Sequence, residues 1–554
     1  MTTRGREGPN PAADEREPAD AIAPTGAVTR RQLLALGAGA MASGALVACA
    51  DDSAGAGSVG PRFQHGVASG DPLPDGVILW TRLTTPDRGA PAEATWELAA
   101  EPTFAVVLQT GAVTTDTQRD FTVKVDVRGL APATTYYYRF RSGAEVSLVG
   151  RTRTAPTGQV ARLRFGVASC SSYAQGYFHA YRALARRADL AAVIHLGDYI
   201  YEYGSGQYGN ARPHEPASEA LTLADYRTRH AQYKRDPDLQ AVHRQHPFIT
   251  IWDDHESANN AWRDGAENHT PATEGAWAVR KAAAQRAYSE WMPIRDQDDV
   301  AKIWRKLSFG DLVDLVLLDT RLWGRSETSG GLFAPMLPED PTRSLLGDDQ
   351  EAWLDQQIAG STARWKLIAQ QVMVANLILM PATGASATVL ANPDQWHGYP
   401  TARRRFLEFL RSSGHGNVVI LTGDIHSSWA NELVVDPMDP TQYDPSTGVG
   451  AIAVELVTPA ITSPGLPPLF QPAVDAARPY NPHLRWFDLV RQGYMVLDVT
   501  PERTQGAWFL YTDITKATPL DETFAAAWSV ATGSTRLLSD AAAAPPETGP
   551  PLAP

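Results

Sequence analysis

The chain reads as a layered α/β protein preceded by a small β-sandwich, and three observations predict this. Apolar runs such as 191–195, 248–252, 313–318, 365–369 and 418–422 alternate with amphipathic helical stretches at 276–291 and 401–412. Before them, residues 63–154 carry only short alternating strands separated by turns. At 554 residues the chain is also too long for one compact core.

Taken in order, residues 1–27 are polar and rich in Pro, Ala and acidic side chains. Thr29-Arg30-Arg31-Gln32-Leu33-Leu34 then precedes a small apolar run ending at Val47. This is similar to a twin-arginine export signal (residues 1–49), too short and too rich in Gly and Ala for a spanning helix. Leu46-Val47-Ala48-Cys49 also resembles a lipobox, so Cys49 is either cleaved away with the signal or lipidated as a membrane tether. The expected partner is the twin-arginine machinery, and the expected location is secreted, periplasmic or envelope-associated. Residues 50–62 read as a flexible linker.

Strands are expected at 76–81, 94–98 and 121–127. Leu130 to Phe140 is similar to the tyrosine-cornered turn and strand of fibronectin type III modules, which makes 63–155 a sandwich. From 160 to 520 the α/β alternation takes over, with a strand at 164–170, a helix at 177–187, and strands again from 451 to 512. Residues 521–554 are expected to be a tail with an Ala/Pro-rich, disordered end.

Composition narrows the function. The net charge of −13, with no basic block after the signal, argues against nucleic acid as a partner. Only two cysteines are present, Cys49 and Cys170, so loss or lipidation of Cys49 leaves Cys170 unpaired.

Chemistry concentrates at strand ends. The run Ala191-Ala192-Val193-Ile194-His195-Leu196-Gly197-Asp198 delivers a carboxylate to the edge where open α/β sheets hold ligands, and Tyr201 follows three residues later. A carboxylate and a phenolate converging there suit a hard, highly charged cation; an N-cap Asp and a packing Tyr are the alternative. Cys170, the cluster Asp253-Asp254-His255-Glu256, and Asp424 with His426 also end apolar strands. The shared edge of one sheet would gather them. His195, flanked by apolar residues, reads as a core histidine.

Ser169-Cys170-Ser171, Gly197-Asp198-Tyr199-Ile200-Tyr201-Glu202, Trp252-Asp253-Asp254-His255-Glu256 and Gly423-Asp424-Ile425-His426-Ser427-Ser428 together resemble the metallophosphatase (calcineurin-like phosphoesterase) superfamily. The variant is similar to the PhoD-type alkaline phosphatase/phosphodiesterase family. His65 to Pro72 and Leu318-Asp319-Thr320-Arg321 support the likeness, which runs from about 63 to 510.

The resemblance implies a metallophosphatase α/β sandwich and a hydrolase of phosphate ester bonds, acting by metal-activated hydroxide attack on phosphorus. It implies ferric iron and calcium as cofactors. Cys170, Tyr201, Asp198 and His426 would serve the iron, although a buried Cys can equally be a small apolar packing residue. Where relatives carry nitrogen ligands, Asp254 and Asp424 harden the second site. With Asp198 bridging, it favours calcium, and magnesium or another divalent ion is the substitute. Gln370 or Gln371 stands where an isolated mid-domain histidine is usual. His255 is the implied acid or charge stabiliser, and Asn260 and Arg321 are candidates to contact the substrate phosphate; Arg321 could instead pin Asp319. Asp394, Trp396 and Tyr399 mark a helix-entry segment near the cleft. The competing readings are a phospholipase D-like phosphodiesterase acting on lipid head groups and a catalytically inactive surface binding protein.

Overall fold

The computed structural model describes residues 61–85, 88–328, 334–380, 389–390, 392–518 and 520–554. The expected export signal, the lipobox at Cys49 and nearly all of the linker lie outside these residues. Among the described residues, no helix is long and apolar enough to cross a membrane.

Two sheets face each other at the centre. The ten-stranded sheet runs Leu537–Asp540, Thr523–Ala531, Arg503–Tyr511, Gln492–Val499, Leu163–Ala168, Ala192–His195, Pro247–Thr250, Val67–Leu73, Gly76–Arg82, Thr122–Arg128. Its middle is parallel, with Ile194 opposite Val167 on one side and Ile249 on the other. The seven-stranded sheet runs Arg305–Phe309, Val313–Leu317, Trp365–Ala369, Val418–Thr422, Ala453–Val457, Ser428–Leu433, Leu484–Asp488.

Side-chain alternation assigns the faces. Leu315, Leu317, Leu367, Val419 and Leu421 share one apolar cluster with Phe165, Val167, Met495, Leu497 and Trp508 of the other sheet. Their neighbours Val316, Ile368 and Ile420 point the opposite way, onto Leu354 and Ile358 of helix Asp348–Ala359 and Phe406, Leu407 and Leu410 of helix Pro400–Ser412. Residues buried on both faces explain why these strands read as unbroken apolar runs. Directed bonds tie the sheets together: the Trp508 indole N–H donates to the Val457 carbonyl (2.9 Å) and the Thr458 hydroxyl to the Val167 carbonyl (3.0 Å).

The N-terminal sandwich forms, but it is not detached. Val67–Leu73, Gly76–Arg82 and Thr122–Arg128 complete the ten-stranded sheet, because Ser69 and Gly70 pair in parallel with Pro247 and Phe248. Ala92–Ala99, Gln109–Thr115, Thr135–Ser142, Glu145–Val146 and Gly150–Arg153 form its second layer. The cornering tyrosine is Tyr136, whose hydroxyl accepts from the Ala131 N–H at 3.0 Å.

The expected C-terminal tail needs correction. Thr523–Ala531 and Leu537–Asp540 are strands of the main sheet. The Ala/Pro-rich end is held segment by segment: the Pro545 carbonyl accepts from Arg162 (2.7 Å), the Pro551 carbonyl from the Tyr137 hydroxyl (2.6 Å), and the Ala553 N–H donates to Gln245 (2.8 Å). Long polar side chains of the scaffold satisfy a backbone whose own side chains could not bury a core.

Candidate metal centre

The predicted ligand residues converge, though on the seam between two sheets rather than on the edge of one. Cys170, Asp198 and Asp254 follow strands of the ten-stranded sheet; Asp424 and His426 follow Val418–Thr422 of the other. The glycines of both Gly-Asp pairs allow this approach. A Cβ on Gly197 would lie 2.4 Å from the Cβ of Asp253, and one on Gly423 would lie 2.9 Å from that of Ser169. The chain then turns sharply. Cys170, Asp198, Asp424 and His426 all adopt left-handed backbone conformations, with φ between 54° and 58°. Non-glycine residues pay for that conformation, and it is concentrated where side chains must be re-aimed.

Three donor groups result, each with ligand atoms within 4.8 Å of one another: Cys170, Asp198 and His426; Asp198, Asp254 and His255; Asp253, Asp254 and Asp424. Asp198 belongs to the first two. The Tyr201 hydroxyl donates to Asp198 Oδ2 (2.8 Å), lies 3.2 Å from His426 Nε2 and accepts from the Ser463 hydroxyl (2.6 Å). His426 Nδ1 bonds the Pro464 carbonyl at 3.1 Å, which leaves Nε2 as the lone-pair nitrogen facing the site.

His255 is held on two sides. Its Nδ1–H donates to Glu202 Oε2 (2.7 Å), and its ring stacks on Tyr201 with centroids 4.2 Å apart. Burial disfavours an imidazolium here, but Asp254, Glu202 and Asp198 outweigh it and push the pKa up to about 10. Tyr203 and Tyr208 pack beside the same imidazole.

Electrostatics define what the pocket can hold. Burial, reinforced by Asp198, pushes up both the Cys170 thiol and the Tyr201 phenol. Burial also pushes Asp198 and Asp253 well up, relieved by His255 in the first case and Arg321 in the second. Buried acids this close cannot all ionise without cations between them. The donor set therefore fits metal: sulfur, phenol and imidazole at one end, carboxylates alone at the other.

The remaining expectations are distributed as follows. Asn260 lies at the site: its N–H donates to Asp254 Oδ2 (2.5 Å) and its side-chain amide to Glu267. Arg321 is completely buried, and its nitrogens meet Asp253 (2.5 Å), Asp394 (2.8 Å) and Asp424 (2.5 Å). All three partners are carboxylates. From Arg321, Asp319 receives the backbone N–H and not the guanidinium. Gln370 and Gln371 both serve the scaffold, through Thr422 and Trp396 and through Thr320, Trp252 and Leu318 respectively. His195 is buried, 2.8 Å from the Tyr181 hydroxyl. From the segment around Trp396 it is Gln395 that reaches the site, donating to Asp424 Oδ2 at 2.5 Å.

Glu202 and Glu256 were missed as functional positions. The Glu256 carboxylate gathers the N–H groups of Asp198 (3.1 Å), Tyr199 (2.5 Å) and Asp253 (2.7 Å), and so locks two ligand loops to each other. Both acids sit inside the quoted motifs; for Glu202 the available signal is its place among Tyr199, Ile200, Tyr201 and Tyr203.

Comparison with known proteins identifies the family. The model of the PhoD-like phosphatase family matches residues 165–508, and that of its N-terminal domain matches residues 48–156. The chain is a member of the PhoD-like phosphatase family. It is 39% identical to alkaline phosphatase D of Bacillus subtilis (strain 168) over 460 residues, covering 80% of this chain and 76% of the relative. A solved structure of PhoD superposes with a TM-score of 0.78 at 35% identity, covering 89% of this chain and 95% of that one. This PhoD-like phosphatase is accordingly a phosphoester hydrolase, and its substrate is a phosphate ester.

Proposed function

We propose that this PhoD-like phosphatase is an exported, metal-dependent hydrolase of phosphomonoesters, phosphodiesters or both. In this reading Cys170, Asp198, Tyr201 and His426 hold ferric iron, and Asp198, Asp254 and Asp424 hold calcium. The supporting observation is Asp198, whose carboxylate takes part in two neighbouring donor groups. A shared carboxylate keeps two ions close enough to act on one phosphoryl group. Thiolate and phenolate donors suit ferric iron, and an all-oxygen set suits calcium, with magnesium the nearest substitute. Bound there, the ions would supply Lewis acidity, the chemistry that makes water a nucleophile and stabilises charge on phosphoryl oxygens.

The chain's own groups do the rest. With Nδ1–H fixed on Glu202, His255 presents Nε2 to the pocket and protonates the departing alkoxide. Stacking on Tyr201 keeps that nitrogen from swinging away. The rings of Tyr203 and Tyr208, almost wholly buried, exclude water on the His255 side. Asn260 orients Asp254 through its backbone and has a side-chain oxygen without a protein partner, available to a substrate or an ion. The Arg30-Arg31 segment supports export of the folded chain through the twin-arginine route, with Cys49 either cleaved away with the signal or lipidated.

The test compares phosphate release from simple monoesters, alcohol release from diesters and choline release from phosphatidylcholine, before and after calcium chelation. The proposal expects simple esters to dominate, activity to vanish on chelation, and calcium to restore it better than zinc. Full activity after chelation contradicts the metal reading; dominant choline release selects the phospholipase D-like reading.

A further inference from the structure

Arg321, a candidate to contact the substrate phosphate, is surrounded by carboxylates. It follows strand Val313–Leu317 in a turn that is held rigidly. Asp319 Oδ1 accepts the N–H groups of both Arg321 and Leu322 (2.8 Å each), and Gln371 binds Thr320 by backbone and hydroxyl (3.0 and 2.7 Å). The side chain therefore enters the seam from a fixed base and is completely buried there. Nε meets Asp253, Nη1 meets Asp394, and Nη2 meets Asp424, with Asp254 Oδ1 3.8 Å from Nη2. Asp394 is in turn bound by Arg325, which lies over the Tyr399 ring at 5.1 Å. Asp424 is gripped from its other oxygen by Gln395.

We propose that Arg321 is a positioning residue for the calcium site, a fixed cation that aims Asp424 and holds Asp253, and not a group that binds the substrate phosphate. This rests on the two-cation reading above. The chemistry favours it: a guanidinium cannot give up its proton at working pH, and its planar fork sets the direction of each carboxylate it meets. Lysine carries the charge without the fork, so it can replace only part of this role.

The experiment titrates calcium alone into iron-loaded, calcium-stripped protein by calorimetry, for the parent and for Arg321→Gln, Arg321→Lys and Asp394→Asn. Steady-state constants are measured alongside at saturating calcium. Calcium binding should weaken by about 10-fold or more in Arg321→Gln and less in Arg321→Lys, with KM within about 3-fold of the parent. Asp394→Asn, which keeps Arg321 but loosens its Nη1, should weaken calcium binding in the same direction and covers the case in which Arg321→Gln does not fold. Unchanged calcium affinity with KM raised about 10-fold in the Arg321 variants overturns the proposal and makes the residue a substrate contact. A parent protein that hydrolyses esters yet binds no divalent ion overturns the two-cation reading instead.

Discussion

Asp198 and His426 meet across the seam between the two sheets, Oδ2 to Nε2 at 3.7 Å, although 227 residues separate them in the chain. One arrives from the ten-stranded sheet and the other from the seven-stranded sheet, so the candidate site exists only when both sheets are packed. Catalysis and folding are thereby coupled at this pair, and the predictions below probe that coupling.

Removing the shared carboxylate should disable both ends of the site together. Asp198→Asn is expected to lose iron and calcium and to retain less than about 1% of activity, since two donor groups lose a member at once. Metal content and activity measured on the same preparation check this; loss of one metal with the other retained would show that the carboxylate is not shared.

Cys170 separates ligand from packing residue. Cys170→Ala removes one buried sulfur and should cost only about 1 kcal/mol of stability as packing, but it should abolish iron binding and the visible charge-transfer absorption of a thiolate and phenolate site. Unchanged iron content with lowered stability would reduce the thiol to a small apolar side chain.

Glu202 should be read through His255. Glu202→Gln keeps a hydrogen-bond acceptor but removes the charge that holds the imidazolium. The expected loss in kcat is about 10²-fold for alkyl esters and much smaller for aryl esters, whose phenolate leaving group needs no proton. Equal losses for both substrates would remove His255 from leaving-group protonation.

Stability should fall on acidification. His195, His230, His246, His397 and His483 are each held down at about 3, chiefly by burial and secondarily by nearby Lys234, Arg151 or Arg403. Their folded values lie below the unfolded value of about 6.5, so the unfolded chain takes up protons first as pH falls. The stability is complete above pH ~6.5 and is lost progressively towards ~3, each histidine contributing up to about 1.4 kcal/mol per pH unit. Buried carboxylates raised in the fold, among them Glu256 (to about 7), Asp198 and Asp253, oppose this and make the decline shallower than the five histidines alone would give. Urea midpoints measured between pH 8 and 5 should decline; a flat profile would mean that these histidines take up protons in the fold as readily as in the unfolded chain.

Much of this was legible before any coordinates. Apolar runs ending in Gly-Asp, Asp-Asp-His-Glu or Ser-Cys-Ser named the strands and the polar residues at their tips, because a strand buried on both faces has nowhere else to put a ligand. Which sheet each strand joins was not legible, since an isolated apolar run carries no record of its neighbours; hence the seam appears where one edge was expected. The direction of Arg321 was not legible for a related reason. Its proximity to the cleft followed from the strand end, but its direction depends on Asp253, Asp394 and Asp424, contributed by three distant segments. Ser463 and Gln395 reach the site from loops with no periodic pattern at all. The final residues looked disordered because composition records what side chains can bury, not what backbone carbonyls can accept from Arg162 and Tyr137.

The most direct test of the central claim is elemental analysis, paired with the visible spectrum, of protein produced and exported by its own host. The account predicts a coloured protein with one iron per chain together with calcium, both lost in Asp198→Asn. A colourless, fully active protein containing zinc or no metal would contradict it.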